Sequence, residues 1–151
     1  MPFNGVYRYE PWSGTLSVMA DDFNRPNGLA FSPDESLLYV DDTNEQNVRV
    51  YEVASDGSLR SGRLFAQLDT SAGPGAADGM KVDERGNVYV TGPGGIWILA
   101  PSGETLGRME LPEVAANLCF GTPPASPLGS TLFITASSSL YSVKLRVRGA
   151  I

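Results

Sequence analysis

Two stretches 51 residues apart carry one pattern: Asn27-Gly28-Leu29-Ala30-Phe31 followed by Leu38-Tyr39-Val40, and Asp78-Gly79-Met80-Lys81-Val82 followed by Val88-Tyr89-Val90. A third, shorter copy reads Asn117-Leu118-Cys119-Phe120 followed by Leu132-Phe133-Ile134. The apolar residues between and around these copies come in short runs rich in Val, Leu, Tyr and Phe, separated by Gly, Pro, Asp, Asn and Ser. That is the pattern of strands joined by turns, and no amphipathic helix interrupts it. Strands are expected over 5–9, 15–20, 28–31, 37–41, 48–53, 63–68, 79–82, 87–91, 95–99, 106–111, 118–120, 131–135 and 140–147. A period of roughly 40–50 residues with four strands each specifies β-propeller blades, small antiparallel sheets whose innermost strands line a central channel. The expected fold is therefore all-β. Residues 27–68 and 78–111 make two whole blades, 5–20 the outer strands of a partial blade before them, and 117–147 a last partial blade.

About three blades do not close a ring, because propellers close at roughly four to eight. An open stack leaves apolar blade faces and strand edges uncovered at both ends. Three blades from each of two chains make six, so a homodimer with its twofold axis along the channel is the expected assembly. Residues 5–20 are then expected to complete the sheet begun by 117–147, within one chain or between two.

Composition narrows the chemistry. The 151 residues include 17 acidic and 11 basic side chains, a net charge of -6, which argues against a surface that collects nucleic-acid phosphates or anionic lipid. There is one cysteine, Cys119, and no histidine, so an internal disulfide and any Ser-His, Cys-His or histidine-zinc site are excluded. A metal in this chain is held by oxygen, which favours calcium or magnesium. Neither a basic region followed by an apolar stretch at the start nor a span-length apolar run is present, and a cytoplasmic protein is expected.

Asn27 and Asp78 stand at the same repeat position, each directly before an inner strand. Two readings apply. Asn-Gly and Asp-Gly are favoured turn pairs, so both side chains could merely shape turns. Equally, two oxygen-bearing side chains from adjacent blades, projecting into one end of the channel, can meet at a cation. In the third copy Ala116 falls at this position and Asn117 falls on the glycine, so no donor is supplied there, and Asn117 is read as bonding a neighbouring backbone. Asp41-Asp42-Thr43-Asn44 reads as a turn between strands, and Ser137-Ser138-Ser139 as a hairpin loop, since nothing in the chain activates a serine. Trp12 and Trp97, beside glycine-rich turns, read as rings sealing blades. Gly92-Pro93-Gly94-Gly95 precedes a strand and is no phosphate loop; Lys144, Arg146 and Arg148 alternate as one solvated face; Cys119 reads as a small apolar residue.

The order of Arg25-Pro26-Asn27-Gly28-Leu29-Ala30-Phe31-Ser32-Pro33-Asp34, Ala77-Asp78-Gly79-Met80, Gly86-Asn87-Val88-Tyr89-Val90 and Ala116-Asn117-Leu118-Cys119-Phe120-Gly121 through Ser139-Leu140-Tyr141 resembles the C-terminal half of the regucalcin/gluconolactonase (senescence marker protein) family. The resemblance implies half of a six-bladed, calcium-dependent propeller that hydrolyses sugar lactones or related esters. It places Asn27 and Asp78 among the metal ligands, with Asp78 also the catalytic residue that holds the cation or takes a proton from water. The family's glutamate and further polar residues from its first blades have no counterpart here. The alternatives are a non-catalytic propeller that binds or scaffolds, and a shortened copy of a longer enzyme that is stable only through self-association. A twofold axis through the channel sets both pairs of donors opposite one another and suggests one calcium per dimer. The blade count predicts a solution mass near twice 16.1 kDa, checked by light scattering at low concentration; a well-folded monomer overturns it.

Overall fold

The computed structural model describes residues 3–122 and 129–150. Thirteen strands run in chain order: β1 (Asn4–Glu10), β2 (Thr15–Phe23), β3 (Pro26–Phe31), β4 (Leu37–Asp42), β5 (Asn47–Val53), β6 (Leu59–Gln67), β7 (Met80–Val82), β8 (Val88–Gly92), β9 (Gly95–Leu99), β10 (Thr105–Met109), β11 (Ala115–Gly121), β12 (Thr131–Ala136) and β13 (Leu140–Lys144). One 3₁₀ turn, Thr70–Ala72, interrupts them, capped by the Asp69 carboxylate accepting from the Ser71 amide. All pairing is antiparallel between neighbours in sequence, giving sheets of two strands (β1-β2), four (β3 to β6), four (β7 to β10) and three (β11 to β13).

Strand periodicity explains how the sheets stack. Successive side chains point to opposite faces, so the central strands, covered on both sides, carry consecutive apolar residues through Leu37–Val40 in β4 and Val88–Val90 in β8. In β4, Tyr39 packs toward the second full sheet while Leu38 and Val40 pack toward β1-β2. In β8, Val88 and Val90 face back onto the first full sheet and Tyr89 faces β11 to β13. Three apolar layers result, one in each gap between successive sheets. The ring of Tyr39 meets that of Phe65 at 4.8 Å, and Tyr89 meets Phe120 edge-on at 5.4 Å.

Several sequence readings change in three dimensions. The last strand ends at Lys144 rather than at residue 147, because the chain leaves β12 there and runs back to the second full sheet: Gly149 pairs with Asp83, and the Ala150 amide donates to the Val82 carbonyl. Lys144, Arg146 and Arg148 still alternate outward. Trp97 is buried, its indole donating to the Pro93 carbonyl at 3.0 Å beneath Arg108. Trp12 seals nothing; it stands 95% exposed in the β1-β2 turn. Within one chain β1-β2 and β11 to β13 remain separate sheets.

The three repeats also act as controls for one another. Met80 and Val82 are 1% and 4% exposed, and Leu118 is 3% exposed, whereas Leu29 and Phe31 at the matching positions are 48% and 45% exposed. The difference lies in the neighbour: four strands face β7 and β11, but among the described residues the sheet that faces β3 has only two strands, β1 and β2. Together with Val6, Met19 and Leu38, Leu29 and Phe31 line an apolar groove of about 380 Å³ along β1. Met80→Ala is expected to cost about 2–5 kcal/mol as a core truncation. Leu29→Ala in the isolated chain costs less than about 1 kcal/mol, since half its surface is already wet. Urea unfolding of both variants measures the contrast.

Candidate cation site at the inner-strand starts

Neither Asn27 nor Asp78 shapes a tight turn. Neither residue, nor the glycine after it, is among the positions with positive φ, and Asn27 lies within β3. What makes glycine necessary at 28 and 79 is crowding. A Cβ on Gly28 would collide with the Asp78 carbonyl and lie 2.6 Å from Asp41 Oδ2. A Cβ on Gly79 would lie 2.5 Å from Asn117 Oδ1 and 2.8 Å from its Cα. The starts of β3, β7 and β11 therefore converge at distances only bare backbone permits.

At the starts of β3 and β11 the chain bulges. Pro26 pairs with Asp42 and Leu29 with Val40, so Asn27 and Gly28 together oppose Asp41 alone. A bulge re-aims the side chain it carries and strands a backbone amide. Asp41 supplies the partner, its Oδ1 accepting from the Gly28 amide at 3.0 Å. One repeat later Thr91 occupies the place of Asp41, and its hydroxyl oxygen accepts from both the Asp78 and Gly79 amides at 3.1 Å. In the third copy the extra residue is Ala116, which has no donor atom, as expected. Asn117, expected to bond a neighbouring strand, instead accepts from the adjoining Leu118 amide at 2.8 Å.

Thr43 ties the two candidate donors together. Its hydroxyl accepts from Asn27 Nδ2 at 3.2 Å and donates to the Ala77 carbonyl at 2.7 Å, while Gln46 Oε1 accepts from the Ala77 amide at 3.1 Å. With its nitrogen committed to Thr43, the Asn27 amide turns Oδ1 away, exposed and without a hydrogen bond among the described residues. The half-buried Asp78 carboxylate likewise accepts no hydrogen bond from any described residue. Two oxygen donors with no hydrogen bond from a described residue thus stand on adjacent strand starts.

The Asp41–Asn44 stretch divides in two. Asp42 does organise a turn, accepting from the Asn24, Arg25, Asn44 and Glu45 amides. Asp41 does not. It is fully buried, its Oδ2 has no hydrogen-bond partner, and burial pushes its carboxyl up to about 8, opposed by the Gly28 amide and reinforced by the charges of Asp78 and Asp42. Pattern reading missed Asp41 and Thr43 because both sit in a polar run that looks like turn residues; only their register opposite the bulge distinguishes them. Ser137, Ser138 and Ser139 form the β12-β13 loop, held by Glu113, whose carboxylate accepts from the Ser138 amide, the Ser139 hydroxyl and Tyr141. Cys119 is exposed on β11 rather than packed as an apolar residue.

For calcium the donor set fits in kind: a neutral amide oxygen and carboxylate oxygens, without hydrogen bonds from described residues, on neighbouring strand starts. It is partial in number, since no group of three or more His, Cys, Asp or Glu among the described residues is placed to hold an ion.

Comparison with known proteins places the chain in context. The family model described as the SMP-30/gluconolactonase/LRE-like region matches residues 2–138. A gluconolactonase of Zymomonas mobilis is 39% identical over 99% of this chain and 42% of its own length. A gluconolactonase structure from Xanthomonas campestris superposes with a TM-score of 0.80 at 33% identity, over 96% of this chain and 46% of that one. A calcium-binding regucalcin from Agrobacterium tumefaciens shares the fold with a TM-score of 0.75 at 19% identity, over 97% of this chain and 53% of that one. The chain spans about half the length of these proteins or less.

The raised Asp41 carboxyl implies a pH dependence. Its contribution to stability is complete below 3.8, where the folded and unfolded chains both hold the proton, and is lost as pH rises through about 8, where the folded chain must give it up. Without added metal the melting temperature is expected to fall between about pH 4 and 8, and Asp41→Asn to flatten that fall, as followed by circular dichroism.

Proposed function

Because the chain belongs to the SMP-30/gluconolactonase/LRE-like family, we propose that it serves as the half of a calcium-dependent lactone hydrolase that carries Asn27 and Asp78. The observation that supports this reading is a pair of oxygen donors without a hydrogen bond from any described residue, on neighbouring strand starts linked by the bulge at Asn27 and the Thr43 bridge to Ala77. Asn27 Oδ1 and the Asp78 carboxylate would hold the cation, which when bound polarises a lactone carbonyl and stabilises the charge that develops on its oxygen. Asp78 has two oxygens. One suffices as a ligand, and the other takes a proton from the water that attacks the carbonyl carbon. As the ring carbon–oxygen bond breaks, that proton passes to the leaving oxygen, and a hydroxy acid results. Asn27 is neutral and only binds and orients.

Two donors fall short of the six to eight that calcium takes, so waters or a second chain would complete the shell. The open groove along β1, with Leu29 and Phe31 half-exposed, supports a second copy of this chain as the partner, an arrangement in which donors from both copies share one ion. A cytoplasmic setting accords with Cys119, which is exposed and has no second cysteine to pair with.

Acid release from a panel of sugar lactones, with calcium and with chelator, tests the proposal. Calcium-dependent turnover is expected, and Asp78→Ala should abolish it with at least a 10–100-fold loss of calcium affinity, the scale of loss seen even for outer-sphere partners of a metal. The metal-free melting temperature of Asp78→Ala should stay close to that of the parent chain. Calcium binding with no turnover on any lactone points to the non-catalytic binding or scaffold protein instead.

A further inference from the structure

The first repeat solves a common problem in an uncommon way. The bulge at Asn27 and Gly28 leaves a backbone amide that needs an acceptor, and at the matching place in the second repeat, where no bulge intervenes, the hydroxyl of Thr91 accepts from two amides at 3.1 Å. A neutral side chain is therefore sufficient. The first repeat uses Asp41 instead, which is fully buried, spends Oδ1 on one amide, and leaves Oδ2 with no partner. A buried carboxyl with an unpartnered oxygen is costly to charge unless a positive charge answers it. Among the described residues no Lys or Arg side chain hydrogen-bonds or pairs with Asp41. Oδ2 lies on the side of Gly28 that faces the backbone carbonyl of Asp78.

We infer that Asp41 is a positioning residue of the candidate cation site: its Oδ1 holds the bulge that aims Asn27, and its unpartnered Oδ2 offers a second negative charge, beside Asp78, once a cation is there to answer it. The inference rests on the reading of Asn27 and Asp78 as cation donors. It separates two contributions that a structural role would keep together. Asp41→Asn retains an oxygen for the Gly28 amide and removes the charge, so it should leave the metal-free fold at least as stable while weakening calcium. Asp41→Thr imports the solution of the second repeat and should behave alike.

Calorimetric titration with calcium, paired with thermal melts in chelator, decides it. The expected result is a tenfold or greater loss of calcium affinity in Asp41→Asn and Asp41→Thr, with metal-free melting temperatures no lower than the parent's. Asn27→Ala and Asp78→Ala serve as the reference for the donors themselves. If those two weaken binding but both Asp41 variants bind like the parent, Asp41 is an anchor only and the inference fails while the cation reading stands. A parallel drop in melting temperature and affinity in Asp41→Asn also overturns it, as a packing effect. Should Asp41→Thr not fold, Asp41→Asn decides alone. If the parent chain binds no calcium, or Asn27→Ala and Asp78→Ala bind unchanged, the cation reading itself fails and the inference with it.

Discussion

Everything at the candidate site of this protein depends on how closely three strands can begin. Gly28 sits against the carbonyl of Asp78, and Gly79 sits against Asn117, with no room for a methyl group at either place. That contact sets the spacing of β3, β7 and β11, and hence the distance over which side chains from neighbouring sheets can act together. The bulges, the Thr43 bridge and the placing of Asn27 and Asp78 all follow from it. Glycine here is a steric requirement between parts of the chain remote in sequence, not a conformational one within a turn.

The strands were legible in the sequence because their signal is local. A run such as Val88-Tyr89-Val90 between turn residues announces a strand covered on both faces, and the same run at a fixed period announces the stack. The candidate donors were legible for a related reason, since the repeat aligns Asn27 with Asp78. Asp41 was not. Its neighbour Asp42 behaves as polar residues between strands usually do, accepting from the amides of its own loop, and nothing in the order of the letters separates the two. The difference is one of register, because Asp41 lies opposite an extra residue on β3 and Asp42 does not. Trp12 failed for the opposite reason: proximity to glycine suggested a sealed ring, but the two-stranded sheet that carries it offers no second face to seal against.

Comparing the repeats also shows what covers what. Equivalent apolar positions range from nearly dry in the second and third copies to half wet in the first, and the change tracks the number of strands in the preceding sheet. Side-chain identity is thus a poor guide to burial in a stacked architecture, where each face is completed by its neighbour.

The returning tail alters how such a stack comes apart. In a linear array each sheet meets only the next, and an end unit can open while the others hold. Here the segment after β13 crosses back: the Glu84 amide donates to the Arg148 carbonyl at 2.8 Å and the Ala150 amide to Val82 at 2.9 Å. The last sheet cannot peel away without also releasing the edge of β7, the strand that follows Asp78. Local opening at the chain's end is thereby coupled to the strand that orders the site, and the outermost unit shares the cooperativity of the one inside it.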